Sequence, residues 1–222
     1  MYYSMGSEIV NEIQSHHIAK PNRPCYNYRN RGVNEMKAWQ HFKTITRHRW
    51  VVMKGCFRVG LFWQGLTHDL SKYSPSEFWR GARYYQGTRS PNTAEREQKG
   101  YSEAWMHHKG RNKHHYEYWT DLCRQTRRYE SVPMPRKYLV EMVMDRRAAC
   151  IVYQGKNYTD GSALEYLERS MERNLLHTQT LEQLRYILTM LRDEGEKKTF
   201  RYIKESVLKG KPFPWETETP NV

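Results

Sequence analysis

Apolar residues recur three and four positions apart over most of this chain. Trp39, Phe42, Ile45, Val52, Cys56 and Val59 keep that spacing, which predicts one long amphipathic helix over about 35–63 with those side chains on its inner face. Gly55, Gly60 and Gly65 weaken it locally and let neighbours come close. The next stretch, "QGLTHDLSKYSPSEFW", predicts a short helix ending near Tyr73, because a residue before proline avoids helical geometry. Ser74, Pro75 and Glu77 then have the pattern of an N-cap, a first helical position and a capping-box acid.

Residues 87–113 form a long, charged, punctuated connection, expected to be intermittently helical and to border a functional site. "MPRKYLVEMVMDRRAACIVYQG" predicts a helix over about 135–153, opened by Pro135 and stopped by Gly155. Ser162 with Glu165, and Thr180 with Gln183, have capping-box spacing and are expected to open the last helical segments. No alternating run is long enough to argue for a sheet, and no internal repeat is present. The expected fold is all-α: one helical domain over 34–208, an extended or mobile Pro/Asn/Arg-rich arm over 1–33, and a loose tail over 209–222.

Composition narrows this picture. A length of 222 residues suits one domain. Mean hydropathy is low, at −0.97, yet 14% of the residues are aromatic, which points to a packed core rather than disorder. No apolar run approaches the roughly 20 residues that cross a bilayer, and "MYYSMGSEIVNEIQ" lacks a basic start and an apolar signal core. The cytoplasm is the expected compartment, and no membrane partner is expected. Cys25, Cys56, Cys123 and Cys150 are scattered without metal-knuckle spacing, so free structural thiols are expected. The formal charge of +13 favours polyanionic partners: a nucleotide or other phosphorylated small molecule, with nucleic acid also open.

The candidate chemistry begins with His68 and Asp69. About 100° apart on a helix, they can both engage only an object at the helix surface between them, and a metal ion is such an object. His48 lies on the face marked by Ile45 and Val52. Asp145 has Met142, Ala148 and Ala149 as helical neighbours, so it is a carboxylate on a buried face that needs a cation. Lys72, three residues after Asp69, is placed to steady a phosphate bound at such an ion. Arg89, Arg111 and Lys113 are further candidate phosphate contacts.

The order of His48, "THDLSK" and the aspartate of "EMVMDRRAA" resembles the HD superfamily of metal-dependent phosphohydrolases over about 39–153. "LTHDLSK" departs mildly from the commoner "LLHDIGK". The resemblance implies a helical HD-like bundle in which His48, His68, Asp69 and Asp145 hold a divalent transition metal (Mn, Fe, Co, Ni or Zn) that activates water against a phosphoester. It also implies a possible second ion. His108 and His115 share a face if their stretch is helical, His107 and His114 are the equally spaced alternates, and a pH-sensitive phosphate surface is the metal-free reading. One of His108 and His115 is the expected proton donor to the leaving oxygen. "QGLTHDLSKYSPSEFW" and "HHKGRNKHHYEYW" together are similar to a bacterial and phage family of unknown function. Two other functions remain open: a di-iron oxygenase of HD type, and a nucleic-acid-binding or regulatory protein whose metal site is structural or vacant.

Overall fold

The computed structural model describes residues 35–170 and 175–217; the arm expected over 1–33, with Cys25, lies outside them. Eight α-helices and one short hairpin make up the described chain, which is all-α in architecture. The first helix, α1 (Glu35–Val59), is shorter than the spacing predicted. Gly60 takes φ 91°, a left-handed conformation that ends the helix and reverses the chain into α2 (Phe62–Thr67). Gly65 lets α2 lie close to α1, because a Cβ there would stand 3.0 Å from Cys56 and Phe57.

The inner face of α1 carries His41, Ile45, His48, Val52, Cys56 and Val59. Trp39 and Phe42 were expected with them and instead face outward, Trp39 being 58% exposed. The reason is that apolar residues occupy two faces of α1, and spacing alone does not say which face meets the core.

After α2 come a 3₁₀ turn (Leu70–Tyr73), α3 (Pro75–Tyr84), α4 (Pro91–Lys99) and α5 (Glu103–Lys109). α6 (Arg136–Gln154) matches the predicted helix and is the central element, packing on α1, α7 (Ser162–Arg169) and α8 (Thr178–Tyr202). Its Leu139, Val140, Val143 and Ala148 join Leu184, Ile187, Leu188 and Leu191 of α8 in the core. The hairpin that alternation did not predict pairs β1 (Thr120–Cys123) with β2 (Arg128–Ser131), antiparallel, with Thr120 opposite Ser131 and Cys123 opposite Arg128. Its four-residue strands are mostly exposed and carry no apolar alternation to detect.

Two capping expectations fail. Ser162 is the first helical residue of α7 and its hydroxyl accepts from Thr159 N, while α8 begins two residues before Thr180. Thr180 Oγ1 instead accepts from Met134 N, tying the two segments together. The tail is not loose through Thr217: Phe213 is fully buried, and Glu216 accepts from Phe213 N and from Arg136. Cys56 and Cys150 are buried free thiols, with burial pushing Cys56 up to about 12 and Cys150 up to about 11; Cys123 is half-buried. No described helix is long and apolar enough to cross a membrane.

Candidate metal centre

α2 stops at Thr67. His68 is its C-cap, and its backbone (φ −48°, ψ 126°) already leaves the helix. Asp69 then adopts φ 54°, ψ 24°, a left-handed conformation that aspartate tolerates better than most residues. His68 and Asp69 are therefore not neighbours on a helical surface, as predicted; the break between two helical segments aims both side chains at one point.

Around that point four side chains converge. His48 Nε2 is 2.9 Å from Asp145 Oδ1 and 3.6 Å from Asp69 Oδ2. His68 Nε2 is 3.4 Å from Asp69 Oδ2, 3.6 Å from Asp145 Oδ1 and 3.4 Å from His48 Nε2. Each of the four offers an atom within 4.8 Å of the others, the spread of a coordination shell about 2 Å in radius. The other oxygen of Asp69 faces a second group. His108 Nε2 stands 3.2 Å and His114 Nε2 3.3 Å from Asp69 Oδ1, and His115 completes this set. Asp69 belongs to both.

Asp69 Oδ1 and the Nε2 atoms of His108, His114 and His115 are buried without a well-formed hydrogen bond, while Asp69 Oδ2 is met by the Lys72 ammonium at 2.6 Å. Orphaned lone pairs at this density would cost several kcal/mol, and a cation at their focus removes the cost. The residues thus fit divalent metal, and the groups can hold an ion. The surrounding carboxylates fix the rings. Glu141 Oε1 accepts from Nδ1 of His68 and Nδ1 of His114, each at 3.0 Å, which leaves both Nε2 lone pairs aimed inward. Glu77 Oε2 accepts from His108 Nδ1 at 2.8 Å in the same way.

The electrostatics are those of a compensated ion cluster. Burial opposes ionisation of Asp69, but the charges of His68, Lys72 and His108 outweigh it and hold the carboxyl well below the usual range. Asp145 is likewise held well below, against burial, chiefly by hydrogen bonds from His48 and His68. His68 is pushed well above its ordinary value, Asp69 overcoming burial, whereas burial brings His48 down. His115 falls well below, through burial and then the neighbouring His114 and His108. The Lys72 ammonium, 2.6 Å from Asp69 Oδ2, supplies positive charge at the focus of the carboxylates.

A cavity of about 380 Å³ opens beside the centre, and His48, Lys72, His115, Asp145 and Tyr153 are among its lining residues. Thr88, Arg89, Ser90 and Thr93 border it, so part of the 87–113 segment does adjoin the centre. Arg89 is held by both oxygens of Glu97 at 2.6 Å. Arg111 and Lys113 do not line the cavity: Arg111 donates to His107 O, and Lys113 lies over Tyr118 and Tyr138. His107 also stays outside the ligand groups, donating to Glu77 Oε1 at 2.5 Å.

A protein-family comparison matches residues 37–190, more than half of the chain, to a family described only as one of unknown function. The chain belongs to DUF5662. Every residue of both ligand groups falls inside the DUF5662 match. No curated protein and no solved structure matches the chain.

Two residues of this DUF5662 domain escaped the sequence reading. Glu77 was assigned to a capping box, yet α3 has no side-chain cap, and the carboxylate is buried against His107 and His108. Glu141 was not singled out, although its position four residues before Asp145 put a second acid on the same face of α6. His108 and His115 do not share a helical face, because α5 ends at Lys109 and His115 follows a turn that brings its ring back beside His108.

Proposed function

We propose that this chain is a metal-dependent phosphohydrolase that acts on a nucleotide or another small phosphoester. The observation that carries the proposal is Asp69, whose two oxygens face separate sets of largely buried donors, His48, His68 and Asp145 on one side and three imidazoles on the other, beside an open cavity. We assign His48, His68, Asp69 and Asp145 to one divalent transition ion, and Asp69, His108, His114 and His115 to a second. Mn, Fe, Co, Ni and Zn suit these mixed imidazole and carboxylate sets better than Mg. Bound there, such ions supply Lewis acidity and an activated water for attack on phosphorus.

The chain's own groups do the rest. Glu141 and Glu77 hold the imidazoles in the tautomer that presents Nε2 inward. Lys72, lining the cavity beside Asp69, steadies a phosphoryl oxygen as its charge grows. Arg89, fixed by Glu97, guides the anionic substrate at the rim. His108, bonded to Glu77 at one nitrogen and aimed at Asp69 with the other, acts as a ligand rather than as the proton donor to the leaving group. His115 has the same role, its Nε2 buried and unpartnered. The likeness to HD phosphohydrolases in residue order supports this reading, and a cavity of this size accommodates a small organic phosphate.

The second ligand set, three imidazoles and one carboxylate, also suits redox-active iron, which favours a di-iron oxygenase as the second reading. One experiment separates them. The purified protein is analysed for metal, stripped, reloaded with each of Mn, Fe, Co, Ni and Zn, and screened against nucleotides and generic phosphoesters. Phosphate release with at least one metal is expected. Bound iron with a visible charge-transfer band and no phosphate release under any metal would replace the hydrolase with the oxygenase.

A further inference from the structure

α1 has a second apolar face, directed away from the core. At about 100° per residue, Trp39, Trp50 and Phe57 fall on nearly one line along the helix, opposite the line that carries Ile45, His48 and Val52. The two tryptophans are 58% and 54% exposed. Beside them, Trp63 and Leu66 of α2 are 74% and 51% exposed, and Leu70, 51% exposed, follows at the start of the 3₁₀ turn. The two ridges form one surface. Phe57 and Phe62 meet at 5.3 Å, and Phe42 joins Trp39 to Tyr73 through ring contacts of 5.5 and 5.8 Å. Arg49 straps α1 to the second ridge by donating to the carbonyls of Leu66 and His68. An aromatic face this continuous is uncommon on a surface that meets only water.

Its charge pattern is one-sided. No acidic residue occurs between Glu35 and Asp69, and Asp69 is fully buried. Lys43 and Lys54 lie over the rings of Trp39 and Trp50, at 5.8 and 5.0 Å, and neither makes an ion pair with another described residue. A second copy docked symmetrically through this face would offer those lysines no acidic partner from its own 36–68 segment. Trp39, Trp50 and Trp63 stand clear of the cavity beside the metal centre, on an open face. A fluid bilayer suits such a face. Tryptophan settles at headgroup depth, lysine stems lie along apolar surface with the ammonium in water, and anionic lipid attracts each basic residue.

We propose that the outer face of α1 with α2 and the following turn is a peripheral docking surface for anionic lipid bilayers. It binds in the membrane plane through interfacial aromatics and flanking lysines, and does not depend on the metal centre.

The test mixes the full-length protein with phosphatidylcholine vesicles, with or without about 30% phosphatidylglycerol, and measures cosedimentation at low and high salt. Two double variants are compared, Trp50→Ser with Trp63→Ser, and Lys43→Glu with Lys54→Glu. Circular dichroism checks their fold. Binding is expected with anionic vesicles only, weaker in salt, and reduced at least about ten-fold in each double variant. Failure to sediment with anionic vesicles overturns the proposal. So does binding that both variants leave unchanged, which would place the lipid contact on another basic surface. A dimer at micromolar concentration that disappears in the tryptophan variant would assign the face to a second copy and also overturns it.

Discussion

Lys72 Nζ lies 2.6 Å from Asp69 Oδ2, the oxygen that also faces His48 and His68. An ammonium and a divalent ion compete for that carboxylate, so Lys72→Met should hold metal at least as tightly as the native chain. If Lys72 stabilises growing phosphoryl charge, the same variant should lower turnover about ten-fold to a thousand-fold. Metal analysis and steady-state kinetics on one preparation check both parts. An unchanged turnover number removes Lys72 from the chemistry.

Asp69 divides its two oxygens between the ligand groups, which predicts a hierarchy of metal loss. Asp69→Gly accepts the positive φ without strain and should empty both positions with little loss of helix content. His48→Ala should deplete the first position and His108→Ala the second. Metal-to-protein stoichiometry reads this directly, and two ions surviving in Asp69→Gly would disprove the sharing.

Glu141 links the groups from outside by accepting from His68 and His114 through one oxygen. Glu141→Gln keeps the size but loses the negative charge, and metal affinity should fall about ten-fold to a hundred-fold, the range for an outer carboxylate behind a ligand histidine. Titration against a competing chelator measures it. Native affinity in the variant would confine Glu141 to packing.

His41 is buried beside α3, and burial, with the Lys72 charge adding, pushes its imidazole from 6.5 down to about 4. Between those values the unfolded chain binds a proton that the folded chain does not. The stabilisation from the neutral ring is therefore full above about pH 6.5 and is lost as pH falls towards 4, on the order of 3 kcal/mol in all. His41→Phe should flatten this part of the profile. Urea unfolding of both metal-free proteins from pH 7.5 to 4 provides the measurement, and parallel curves would show that another group is responsible.

Local rules made some of this protein legible in its sequence. Periodicity in "KYLVEMVMDRRAAC" fixed α6 within a residue or two, because a helix with a long buried face requires apolar side chains at that spacing. The same rule singled out His48 and Asp145 as polar residues facing inward, where a bare charge would need a partner. Periodicity was ambiguous for Trp39 and Phe42, which keep helical spacing on a face that the core never covers.

Other features depended on long-range packing. The left-handed turn at Asp69 is held between α2 and the 3₁₀ segment, and helical spacing gives no sign of it. The choice of His108, His114 and His115 over His107 followed from where α5 stops and how the next turn folds back. Glu77 became a partner of histidines rather than a cap because Ser71, His107 and His108 reach it from segments distant in sequence or across a chain reversal. The sequence by itself determined which side chains could carry charge or bind metal and which faces of each helix were apolar, since those follow from residue type and a fixed helical repeat. Tertiary structure alone decided which of them meet, because hydrogen bonds and ion contacts act over about 3–4 Å and only the packing of distant helices brings their atoms that close.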